Sequence, residues 1–141
     1  MDHDFYTKQI VIWAKYCFAS PGLDIQDDTQ KICRPNTAHA LIDGEFRSCL
    51  PDFSARDISI EPNLYILGEA KTYDDYIIRS DERNNQINVM LNFLKKHEKP
   101  ILVYSLPSEL ANTARNNINE KMRLYSAENV HLEILDENFR T

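Results

Sequence analysis

The sequence predicts a mixed α/β fold, a β-sheet flanked by helices in the order α-β-β-β-α-β-α-β, and three observations carry that expectation. Ile87, Met90, Leu91 and Leu94 recur at i, i+3, i+4 and i+7, the stripe of an amphipathic helix. On either side of it stand short unbroken apolar runs, LYILGEA (64–70) and KPILVYSLP (99–107), which read as buried strands. Strand, helix, strand is the pattern of a crossover that lays helices on the faces of a sheet.

The remaining elements follow in order. DFYTKQIVIWAKYCFAS places Phe5, Gln9, Ile12, Trp13 and Tyr16 at steps of three and four, a helix ending before Ser20-Pro21-Gly22. Residues 21–43 hold turn formers and a short helix over NTAHALID, stopped by Gly44. FRSCLPDFSARDISI reads as antiparallel strand structure, joined to LYILGEA by a turn at Glu61-Pro62-Asn63, where Pro sets φ. In SDERNNQINVMLNFLKKH, Ser80 is a candidate cap, Asp81 and Glu82 suit the positive N-terminal end, and Lys95 and Lys96 suit the C-terminal end. SELANTARNNINEKMRLY reads as a further helix and VHLEIL as the final strand.

A chain of 141 residues is about one domain in length, so residues 1–141 are expected to form a single domain. With 43% hydrophobic and 27% charged residues and no low-complexity tract, it has a soluble globular composition. No apolar run reaches the roughly 18 residues of a membrane helix, and MDHDFYTKQ lacks the basic-then-apolar pattern of a secretory signal, so a cytoplasmic protein is expected. Cys17, Cys33 and Cys49 make an odd set without a CxxC pair, which indicates reduced thiols rather than a disulfide framework or a zinc cluster. His3, His39, His97 and His131 have no ligand spacing and receive no catalytic role at this stage. Glycine-rich phosphate loops and G-x-S-x-G are absent, which excludes nucleotide kinases, dinucleotide-dependent dehydrogenases and serine hydrolases of those patterns. A net charge of −6 argues against nonspecific coating of nucleic acid. The acids concentrate in LDIQDD and ENVHLEILDE, while Arg79, Arg83, Lys95, Lys96 and Lys99 make the middle mildly basic.

The chemistry is concentrated in LGEAKTYDD. Alternate strand residues share a face, so Glu69 and Lys71 project together while Ala70 points into the core. If the strand after Pro51-Asp52 pairs with LYILGEA, Asp52 approaches Glu69 and two carboxylates form one pocket. Hard oxygen ligands of this kind suit Mg²⁺, and Mn²⁺ can substitute. A lysine beside them can orient an attacking water and counter charge developing on a phosphate. The competing reading of Glu69 and Lys71 is an exposed ion pair at a strand end, worth little.

Pro51-Asp52, sixteen residues, Glu69-Ala70-Lys71 at the end of an apolar strand, and a helix carrying Gln86 together resemble the PD-(D/E)XK nuclease superfamily, restriction-endonuclease-like in fold. The compact VRR-NUC and Holliday-junction-resolvase types are similar in length and order. The resemblance covers roughly residues 45–106. It implies that Asp52 and Glu69 hold the metal with help from the Ala70 carbonyl, that Lys71 serves the water, and that Gln86 supplies the polar group on the following helix. The implied activity is Mg²⁺-dependent endonucleolytic hydrolysis of DNA, with a homodimer or a targeting protein as partner. The alternative is a noncatalytic binding or assembly subunit of the same fold. Many members carry a further acid on the first helix; residues 5–19 hold none, which leaves Asp43 or Glu45 for the role, Glu45 by preference. Tyr73, Tyr76 and Arg79 in TYDDYIIRS are candidate nucleic-acid contacts, with surface packing as the alternative.

Overall fold

In the computed structural model, residues 1–29 and 34–140 are described; Cys33 lies outside them. The elements are α1 (His3–Cys17), β1 (Asp24–Asp27), β2 (Ala38–Ile42), β3 (Glu45–Cys49), β4 (Phe53–Asp57), β5 (Leu64–Ala70), α2 (Tyr73–Ile78), α3 (Ser80–Leu94), β6 (Lys99–Ser105), α4 (Ala111–Leu124) and β7 (His131–Leu135), with a 3-10 turn over Ser108–Leu110 before α4. The architecture is mixed α/β. A five-stranded sheet runs β1-β4-β5-β6-β7, antiparallel at β1-β4-β5 and parallel at β5-β6-β7. No helix among the described residues is long and apolar enough to cross a membrane.

Both faces of the sheet are covered. Tyr6, Ile10, Trp13 and Ala14 of α1 pack on Phe53, Ile66, Ala70 and Val103. On the other face, Ile87, Met90, Leu91 and Leu94 of α3 and Ala114, Ile118 and Met122 of α4 pack on Leu67, Leu102 and Tyr104. β5 is therefore buried on both sides, which is why LYILGEA reads as an apolar run instead of alternating. Gly68 allows the close layer spacing: a Cβ there would lie 2.9 Å from Val103 Cγ1 and 3.3 Å from Ile10 Cδ1.

Several sequence expectations are corrected. NTAHALID is not a helix: Ala38–Ile42 is β2, whose alternate residues Ala38, Ala40 and Ile42 are buried. It pairs with β3 through Asp43 and Gly44, both at positive φ, a two-residue hairpin turn. Asp43-Gly44 is the dipeptide that favours such a turn, and Gly44 ends a hairpin loop rather than a helix. FRSCLPDFSARDISI divides between the sheets, β3 joining β2 and β4 joining the main sheet. DIQD forms the edge strand β1, and TYDDYIIRS holds α2, capped by Thr72, whose hydroxyl accepts from Asp75 N at 3.2 Å. Ser80 is the first residue of α3 rather than its cap; Arg79 occupies the cap position without a side-chain bond. Two extra strands and one extra helix thus enter the expected order. α1 is phased differently as well: Ile12 and Tyr16 are exposed, and the buried face is Tyr6, Thr7, Gln9, Ile10, Trp13 and Ala14.

Candidate functional site

Strand register assembles a row of acids at one end of the sheet. Phe53 pairs with Gly68, which sets Asp52 opposite Glu69, and Asp27 pairs with Phe53, which sets Asp28 opposite Asp52. Backbone bonds extend the ladder beyond the strand ends: Asp52 N donates to the Gly68 carbonyl at 3.1 Å, and Asp28 N to the Asp52 carbonyl at 2.8 Å. Pro51 and Leu50 carry the chain from the hairpin into this position.

Lys71, one residue past β5, donates its backbone N–H to the Ser105 carbonyl of β6 at 2.9 Å. Its Nζ donates to Gln86 Oε1 at 2.8 Å and lies 3.5 Å from Glu69 Oε2. Asp52 Oδ2 accepts from Ala70 N at 2.9 Å, and His3 Nε2 lies 3.1 Å from the same oxygen. Asp52, Glu69, Ala70, Lys71, Gln86 and His3 line one recess of about 260 Å³, with Leu50, Asp75, Arg79 and Glu82 at its other walls.

Burial governs the electrostatics. The Glu69 side chain is 1% exposed, and desolvation together with Asp52 pushes its carboxyl well above the ordinary glutamate range, against the pull of Lys71. Burial also works against the Asp52 carboxylate, but His3, the Glu69 carboxyl and the Ala70 N–H hold it below the usual range. Of the two, Glu69 therefore holds a proton more readily than Asp52. His3, bonded to Asp52, is raised to about 9 despite partial burial, and Asp28, partly buried beside Asp52, is raised to about 6. Glu69 Oε1, Asp28 Oδ1 and the buried Tyr104 hydroxyl and Ser105 Oγ have no hydrogen-bond partner. A buried carboxyl oxygen without a partner is costly, and a bound cation is one way to complete it.

The donor set fits a divalent cation. One ligand atom each from His3, Asp28 and Asp52 falls within 4.8 Å of the others, and Glu69, with one oxygen unpaired, lines the recess together with His3 and Asp52. Two or three carboxylates with open positions suit a hard cation such as Mg²⁺, and an imidazole beside them also suits Mn²⁺.

No protein-family model, curated protein or solved structure matches this chain.

Asp52, Glu69, Ala70, Lys71 and Gln86 are brought together. Asp43 and Glu45 are not: Asp43 forms the hairpin turn, and Glu45 is exposed with its carboxylate 3.4 Å from Arg47 Nε. The acid beside the motif is Asp28. Tyr73 is exposed and Arg79 reaches the recess, whereas Tyr76 is 1% exposed and cannot stack on a base. His3, which lines the recess, has no ligand spacing in the sequence but does have a helical one. With α1 correctly phased, His3 stands at i to Tyr6, Thr7 and Ile10 at i+3, i+4 and i+7, on the face turned toward the sheet.

Proposed function

We propose that this chain is a metal-dependent nuclease of the PD-(D/E)XK type that hydrolyses DNA phosphodiester bonds. The observation that supports it best is the convergence of Asp52, Glu69, Lys71 and Gln86, from three separated segments, on one recess in which a buried Glu69 oxygen lacks a partner.

Asp52 and Glu69 would hold Mg²⁺, with Asp28 and His3 as further donors on the Asp52 side. When bound, the ion polarises a phosphoryl oxygen and lowers the pKa of a coordinated water. The chain's own groups supply the rest. Cation binding requires any proton on Glu69 to leave, and the proton on His3 as well where its ring nitrogen is to serve as a donor, so binding is opposed by low pH. Gln86 fixes the Lys71 ammonium over the Glu69 carboxylate, where it orients the attacking water and faces charge developing on the phosphate. The water oxygen bonds to phosphorus as its proton is released to solvent, the phosphorus–oxygen bond to the leaving strand end breaks, and the departing oxygen takes a proton from solvent, so that one water is consumed for each bond cut. Two copies of the chain, one for each strand, would complete a double-strand cut.

The test is Mg²⁺-dependent cleavage of plasmid, single-stranded and branched DNA by the purified protein. Cutting abolished by chelation and restored by Mg²⁺ or Mn²⁺ is expected. No cutting of any of these DNAs at any metal concentration would overturn the reading.

A further inference from the structure

A second recess, about 520 Å³, lies between α3 and α4 and carries the opposite charge. Its walls hold Arg83, Lys121 and Arg123 against one acid, Glu120, with Asn84, Asn117 and Leu124 between them. Among the described residues none of these cations has a carboxylate within ion-pair distance. In a chain of net charge −6, three unpaired cations in one groove are a concentrated exception.

The groove is built rather than incidental. The Arg83 guanidinium lies 4.2 Å from the centroid of the buried Tyr76 ring and donates through Nη1 to the Tyr76 carbonyl. Asn117 of α4 donates to the Tyr76 hydroxyl at 3.4 Å, so one tyrosine ties α2, α3 and α4 together and holds Arg83 in place. An arginine fixed in this way loses little side-chain entropy when it binds a ligand. The groove also adjoins the catalytic recess. Arg79, which lines that recess, holds the cap position of α3 four residues before Arg83, and Glu82 of the same recess directly precedes Arg83 in the chain.

The candidate catalytic recess offers a polyanion no excess of positive charge: with Glu69 held toward its neutral form, Asp52, Asp75 and Glu82 balance His3, Lys71 and Arg79 on its walls. Affinity for a polyanion must then come from elsewhere. We infer that the α3–α4 groove binds the phosphodiester backbone of the DNA strand leading away from the cleavage site, through Arg83, Lys121 and Arg123, independently of metal. This inference rests on the nuclease reading for its substrate, but it concerns a different surface.

The experiment measures binding of a fluorescent single-stranded oligonucleotide and its duplex to the wild type, a Lys121→Ala/Arg123→Ala double variant and Glu120→Gln, in chelator, across NaCl concentrations. Hydrolysis of bis(4-nitrophenyl) phosphate with Mn²⁺ is followed in parallel, because so small a diester needs only the catalytic recess. The double variant is expected to bind DNA about tenfold more weakly, and its log–log salt slope to be shallower by roughly 1.5–2, the value for two lost phosphate contacts. Glu120→Gln is expected to bind about twofold more tightly, and hydrolysis of the small diester to be equal in all three. Unchanged affinity and slope in the double variant overturn the groove whatever happens to cleavage. Binding that depends on Lys121 and Arg123, in a protein that hydrolyses neither diester, supports the groove and sinks the nuclease reading instead.

Discussion

The two recesses flanking the first turns of α3 are built from opposite materials. One gathers carboxylates at the end of the sheet, with Glu69 fully enclosed and an oxygen unpaired; the other spreads arginine and lysine over a groove open to water. Exposed cations cost a fold almost nothing, because water solvates them. Enclosing like-charged acids side by side costs several kcal/mol unless a proton or a cation intervenes. On the proposed reading, the difference separates a recess whose function would oppose stability from a groove whose function would not. The acidic recess is the place where removing a charge should help the fold and harm the chemistry, and the basic groove is the place where it should do neither, weakening DNA binding alone.

Four measurements break or sharpen that contrast. The largest effect is expected from Asp52→Asn, which keeps an acceptor for the Ala70 N–H but weakens the cation site; cleavage should fall by about 10³ or more, read as initial rate at saturating Mg²⁺. A fall of less than tenfold would remove Asp52 from the reaction. Next, the Lys121→Ala/Arg123→Ala variant should lose about tenfold in DNA affinity while its thermal midpoint stays within a degree or two. A fall in midpoint comparable to that of a core mutation would mean that the groove is structural. Gln86→Ala, which frees Lys71 Nζ, should slow cleavage about tenfold, or about 1.4 kcal/mol in the barrier, at unchanged DNA affinity.

The smallest change is one of stability. Glu69→Gln in chelator should raise stability by about 1–2 kcal/mol at pH 8, since a buried acid beside another is replaced by a group that can donate to it. The folded-state pKa of Glu69 is raised, so the folded protein binds the proton more tightly than the unfolded chain. Its contribution therefore becomes progressively unfavourable as pH climbs above the ordinary glutamate value, and the advantage of the variant should shrink as pH falls toward 4.5. Mg²⁺ should reverse the order by stabilising only the wild type. Urea unfolding at several pH values, with and without Mg²⁺, reads all of this.

The elements legible in the sequence were those whose pattern comes from a single strong surface. α3 and the runs of β5 and β6 are buried so uniformly that period and length alone identify them. Where side chains are small or the element is short, tertiary context decided: the alanines of β2 read as helix formers, yet they alternate against α3, and local propensity yields to such packing. The site divides along the same line. Glu69, Lys71 and Asp52 were legible because strand alternation and hairpin pairing are local rules. His3 was hidden by a misphased helix, and Asp28 by a strand of four residues whose register no nearby signal sets. Neither the α3–α4 groove nor the anchoring of Arg83 on Tyr76 has a sequence signature, since each depends on helices meeting across long separations.

The central claim, that the carboxylate recess performs metal-dependent hydrolysis with Lys71 acting in the chemical step, is tested most directly by Lys71→Ala assayed for both binding and cutting. DNA affinity and the Mg²⁺ dependence of binding should match the wild type while the cleavage rate falls by at least about 10². Undiminished cutting by this variant would contradict the claim, and Glu69-Ala70-Lys71 would then be a buried ion pair at a strand end with no part in catalysis.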